Sequence, residues 1–174
     1  MKEQLRTVSV VGLLLTLGAF SVSARDGDKV RARLAGTTEV PVVSTLATGE
    51  LEANIESDAV TYKLTFEGLE GGNTLFAHIH LGQLSVNGSV MAFLCGGGGK
   101  PACPNQSGTV EGTILPADIL GLGTQQVTAG GFDEFVRALR NGTAYANVHT
   151  VASPGGEIRG QVKTNHRDHD DDDR

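Results

Sequence analysis

Ala77-His78-Ile79-His80-Leu81-Gly82 is the stretch on which the reading of this chain turns. Side chains on a β-strand alternate with a period of two. His78 and His80 therefore share one face, while Ala77 and Ile79 continue Leu75 along the other. The apolar set suits a core, so the two imidazoles project away from it. The segment Tyr145-Ala146-Asn147-Val148-His149-Thr150 has the same pattern. With Ala144, Ala146 and Val148 inward, His149 also projects outward. These are three of the five histidines in the chain. Two imidazoles about 7 Å apart along a strand, met by a third from a neighbour, form a candidate metal site. Ligands roughly 2 Å from one ion bring the three rings within about 3–4 Å of one another. Histidines that only hydrogen-bond to nearby loops are the plain alternative.

The same alternation recurs on both sides of the His-x-His stretch. Residues 30–34, 46–55, 60–66, 90–94, 109–114 and 157–162 each read as a strand. Ser57-Asp58 joins two of these runs into a hairpin. Asn87-Gly88 and Ser153-Pro154-Gly155-Gly156 are turn signals. Pro41 confines its segment to a sheet edge or an extended loop. Phe132, Phe135, Val136 and Leu139 form a single helical stripe. Asp133 and Glu134 suit its first turn, Arg137 and Arg140 its last, and Asn141-Gly142 ends it. The expected fold is mostly β: an antiparallel, Greek-key-like sandwich or barrel with one short helix. The 24 glycines fit many tight turns.

The ends of the chain differ from this body. Lys2 and Arg6 precede an apolar run over 8–20, and Val22-Ser23-Ala24 supplies small residues for cleavage. Residues 1–24 are therefore expected to be a secretory signal peptide. Residues 25–164 form the domain, and 165–174 an acidic, disordered tail. His166 and His169 sit among the tail aspartates, where they offer at most a weak divalent-cation site without a scaffold. The expected localisation is secreted or periplasmic, with no membrane contact after cleavage. In that compartment Cys95 and Cys103, flanking a glycine-rich loop, are expected to form a disulfide. The net charge is −6, and Lys and Arg are scattered, which argues against a nucleic-acid surface. Asn87, Asn105 and Asn141 match the glycosylation pattern, which matters only in a eukaryotic secretory pathway.

Several motifs in order resemble one family. They are Glu39-Val40-Pro41, Ser44-Thr45, Ala47-Thr48-Gly49, Gly68-Leu69, Ala77-His78-Ile79-His80 with Gly82, and Asn87-Gly88. Tyr145-Ala146-Asn147-Val148-His149-Thr150 and Pro154-Gly155-Gly156-Glu157-Ile158-Arg159-Gly160-Gln161 complete the set. This pattern is similar to the CHRD domain, the module named after chordin and also found singly in secreted microbial proteins. The resemblance spans roughly 29–163 and implies an extracytoplasmic β-sandwich or barrel with no settled activity. Val42 departs from it, standing where the family often has a second proline. The implied role is a non-catalytic binding or structural module with an extracytoplasmic ligand or protein partner. Glu39, Asn147, Glu157 and Arg159 are the other polar residues in the shared motifs. Turn capping and cross-strand pairing are the expected roles of the charged three.

A more distant similarity is to copper–zinc superoxide dismutases, which also place His-x-His on one barrel strand and another histidine on a later one. The zinc half has no counterpart here. What remains is a mononuclear copper or zinc site on His78, His80 and His149 with an open position, and a redox activity as the alternative function. By this analogy Arg159 lies near the mouth, although a structural salt bridge is the plainer expectation.

Overall fold

The computed structural model describes residues 29–164; the expected signal peptide and acidic tail lie outside the described residues. Nine strands and one helix follow in the order β1 (Lys29–Ala35), β2 (Thr48–Ile55), β3 (Val60–Glu67), β4 (Thr74–Leu81), β5 (Ser89–Cys95), β6 (Gly108–Ile114), α1 (Phe132–Arg140), β7 (Ala144–Thr150), β8 (Ile158–Gln161) and β9 (Lys163–Thr164). They form one sheet in the order β5-β4-β7-β8-β1-β2-β3-β6, with β9 pairing β1. Every pairing of strands is antiparallel. The sheet curls until its two ends approach, giving a nearly closed barrel.

Period-two patterning fixes which side is interior. Val30, Ala32 and Leu34 of β1, Leu51, Ala53 and Ile55 of β2, and Val60, Tyr62, Leu64 and Phe66 of β3 are all buried. Their neighbours Arg31, Arg33, Glu50, Glu52 and Lys63 face solvent. Each large apolar side chain so enclosed contributes about 1.5–3 kcal/mol relative to exposure. Helix α1 buries Phe135, Val136, Ala138 and Leu139, so the apolar stripe read from the sequence packs inward.

The seam between β5 and β6 is tied rather than fully paired. Tyr62 donates its hydroxyl proton to Leu94 O across the seam at 2.7 Å. Cys95 and Cys103 form the expected disulfide. The loop they close carries Lys100, whose Nζ donates to Thr113 O on β6 at 2.7 Å and to Asp118 Oδ2 at 2.8 Å. The glycine-rich loop is thus a clip that holds the last strand in place.

Two local expectations change. Asn87-Gly88 is not the centre of a tight hairpin turn; a longer loop over 82–88 joins β4 to β5, with its turn at Leu84-Ser85. Asn87 serves a different purpose, described below. The strand expected from residue 46 begins at Thr48, because Leu46 lies in the preceding loop at 89% exposure.

Candidate metal centre

Strands β4 and β7 are neighbours, so the two histidine segments meet. In their register Phe76 stands opposite His149, His78 opposite Asn147, and His80 opposite Tyr145. All six side chains lie on the face turned away from the barrel core. One ligating nitrogen from each of His78, His80 and His149 falls within 4.8 Å of the others. This is wider than the 3–4 Å expected from ligation; two of the rings, His80 and His149, hydrogen-bond to surrounding loops. The sequence reading places the imidazoles outside the core, and they are, yet they are not in solvent. Their exposures are 5%, 7% and 5%.

Three loops make the roof. The 82–88 loop is anchored by Gly88 N–H donating to the Tyr145 hydroxyl at 3.2 Å, and the end of β4 that enters it by Gln125 Nε2 donating to Leu81 O at 2.9 Å. Asn87 Nδ2 donates to Val40 O at 2.9 Å and so joins this loop to the 39–47 segment. The Pro154 turn closes the third side.

Ring hydrogen bonds decide which nitrogens are free. His80 Nδ1 lies 3.0 Å from Gly88 O, and His149 Nδ1 lies 3.0 Å from Pro154 O. Only an N–H satisfies a carbonyl, so a neutral ring that donates in these contacts carries its proton on Nδ1 and presents a lone pair at Nε2. His80 Nε2 and His78 Nδ1 are buried without a partner. His149 Nε2 faces Asn147 Oδ1 at 2.8 Å. Burial pushes the His78 imidazolium down to about 3, helped by the charges His149 and His80 would carry. Burial likewise lowers His149 to about 4 and lowers His80. All three rings are therefore neutral near pH 7, the form that binds metals. Unpaired buried nitrogens are costly, and three neutral imidazoles suit zinc, copper, iron or nickel. The residues present fit a metal ion.

Aromatic rings brace the cluster. Phe76 stacks on His78 at 4.8 Å between centroids, and Phe93 of β5 meets His78 edge-on at 4.6 Å. Tyr145 lies parallel to His80 at 4.6 Å. From β8, on the other side of β7, the Arg159 guanidinium sits 3.4 Å above the Tyr145 ring.

Arg159 is 1% exposed and lies behind Tyr145 rather than at an open mouth. Among the described residues it makes no salt bridge. Instead its Nη1 donates to Asn87 Oδ1 at 3.0 Å, and its Nη2 donates to Val86 O at 2.8 Å and to Gln83 O at 3.3 Å. The cation is thus held by carbonyl oxygens and a π face, and it fastens the roof loop.

Glu39 and Glu157 divide in role. Burial raises the Glu39 carboxyl to about 7, against the opposing pull of Arg159 and of hydrogen bonds from Val40 and Asn147. Its Oε1 is buried without a hydrogen-bond partner, beside the cluster rather than at a turn cap. Glu157 does cap a loop. It accepts from Glu70 N–H at 2.7 Å, Gly71 N–H at 2.9 Å, Thr45 Oγ1 at 2.9 Å and Thr150 Oγ1 at 2.7 Å. Burial alone would raise its pKa, but these bonds together hold it below the ordinary carboxylate value.

Phe76 and Tyr145 were legible, since each shares a period-two face with the histidines. Phe93 and the roof contacts of Asn87 had no such signal, because they depend on pairing and loop closure. Neither a curated protein nor a solved structure matches the chain. A family model described as CHRD domain matches residues 30–162, and the chain belongs to that family.

Proposed function

We propose that this protein is an exported, non-catalytic CHRD module that holds one copper or zinc ion on His78, His80 and His149. The observation that carries the reading is the convergence of three neutral, buried imidazoles, two of which have ring nitrogens with no partner. The carbonyls of Gly88 and Pro154 fix two of the rings in the tautomer that ligation needs, as outer hydrogen bonds do at histidine metal sites. Tetrahedral donors stand about 3.4 Å apart, so uptake draws the widest pair inward by somewhat over 1 Å, within reach of small side-chain rotations. When bound, the ion supplies a Lewis acid and, if copper, a one-electron couple. The roof favours retention over turnover, since it leaves the imidazoles almost without solvent contact. Export is supported by the Cys95–Cys103 disulfide, which suits an oxidising compartment.

The test is the metal content of the protein purified from its native compartment without a histidine tag and truncated after Thr164. The His78→Ala/His80→Ala double variant runs beside it. One equivalent of copper or zinc that vanishes in the double variant supports the reading. An empty protein that also refuses added copper and zinc overturns it and leaves the histidines as structural hydrogen-bonders.

A further inference from the structure

Both ring nitrogens of His149 face oxygen. Nδ1 meets Pro154 O at 3.0 Å, and Nε2 meets Asn147 Oδ1 at 2.8 Å. A neutral imidazole has a single N–H. The Pro154 contact uses it. The lone pairs of His149 Nε2 and Asn147 Oδ1 are then left facing each other in a buried space. Asn147 stands opposite His78 in the β4–β7 register, so the same space adjoins the other two rings. Two acceptors brought this close call for a shared electrophile.

The amide is oriented with Nδ2 toward Glu39 and Oδ1 toward His149. The Cβ that Gly156 lacks would lie 2.3 Å from Glu39 Oε1 and 2.8 Å from Asn147 Nδ2, so this carboxylate and the amide nitrogen are neighbours. Gly156, at φ +124°, is what allows Glu39 to reach this position, because any larger residue would fill it.

We propose that Asn147 Oδ1 is the fourth protein donor to the metal ion held by His78, His80 and His149, and that Glu39 is the positioning residue that aims it. This rests on the metal-site reading above and deepens it. The site becomes a closed three-nitrogen, one-oxygen set with no position left for water. A closed set is the arrangement of structural and storage sites, whereas catalytic sites keep a position open.

The experiment loads the chain truncated after Thr164 with Cu(II) and measures both affinity and the relaxation of bulk water protons by the bound ion. A wild-type ion shielded from exchanging water supports the proposal. So does Asn147→Ala that binds about 10–100-fold more weakly and admits water. Asn147→Asp, which restores an oxygen donor, is expected to regain affinity and exclude water again. Glu39→Gln is expected to weaken binding in the same range. If Asn147→Ala does not fold, the wild-type relaxation and Asn147→Asp still decide. A wild-type ion in rapid exchange with water overturns the fourth donor, as does Asn147→Ala with unchanged affinity and relaxation. In both cases the three-histidine site survives. A wild-type protein that takes no Cu(II) overturns the site itself.

Discussion

Consider the metal-free protein as the pH is lowered from about 7 to about 5. His78 and His149 have folded pKa values of about 3 and about 4, against an ordinary value of 6.5. Between these limits the unfolded chain takes up a proton at each ring that the folded chain refuses. Their contribution to stability is fully present above 6.5 and is lost as the pH falls toward 4 and then 3. Glu39 acts in the opposite sense. Its folded value of about 7 lies above the ordinary 4.5, so its contribution is present below 4.5 and is lost as the pH rises through 7. Near pH 5.5 the unfolded state gains about two protons at the two rings, while the folded state keeps about one extra at Glu39. The net difference of about one proton gives a slope of about 1.4 kcal/mol per pH unit, with stability falling on acidification. The lowered His80 adds to the histidine side. In His78→Ala one of these protons is gone, so the slope drops by about 1.4 kcal/mol per pH unit whatever the variant's absolute stability. Urea unfolding in chelator, followed by far-ultraviolet circular dichroism at several pH values, reads both slopes. Equal slopes in the two proteins, or a wild type that gains stability as the pH falls, would show that the buried rings do not exclude protons in this way.

Further outcomes follow from the same contacts. Glu157→Ala leaves two loop N–H groups and the Thr45 and Thr150 hydroxyls without their acceptor, and is expected to cost at least about 2–3 kcal/mol in urea unfolding. Gly71→Ala places a Cβ 2.0 Å from Thr150 Oγ1, so it is expected to destabilise by about 1–3 kcal/mol through the same clamp. Cys95→Ser/Cys103→Ser opens a loop with a sequence separation of 8 and is expected to lower stability by about 2.5 kcal/mol, measured against the wild type under non-reducing conditions. Arg159→Met removes the guanidinium donor from Asn87 Oδ1 and Val86 O and one of two donors from Gln83 O, and is expected to loosen the 82–88 loop, read as faster amide exchange there than in α1.

Much of the barrel was legible because its strands obey one simple rule. Val60, Tyr62, Leu64 and Phe66 turn inward and Lys63 outward, so period two alone places β3 and its partner β2. Helix α1 was equally plain from Phe132, Phe135, Val136 and Leu139. The histidine face was also legible, since alternation puts His78, His80 and His149 on the same side as Phe76, Asn147 and Tyr145. What the pattern cannot encode is the roof. An outward face reads as solvent-exposed in a strand taken by itself, yet loops 82–88 and 39–47 bury these rings. That burial depends on contacts such as Asn87 to Val40 and Arg159 to Val86, which join residues 47 and 73 positions apart. Asn87-Gly88 shows the limit most clearly. The pair has ideal turn chemistry, but Asn87 is used as a crosslink between Arg159 and Val40. Glu39 is similar, because a lone glutamate before Val40-Pro41 gives no sign that its carboxyl will be buried beside a histidine cluster.

The central claim is that His78, His80 and His149 bind one ion together. X-ray absorption on the truncated protein carrying one equivalent of zinc tests it most directly, with His149→Ala as the comparison. Imidazole scattering from three rings with Zn–N distances of about 2.0–2.1 Å is expected, with the loss of one ring in the variant. A first shell of oxygen alone, or a spectrum unchanged by His149→Ala, would contradict it.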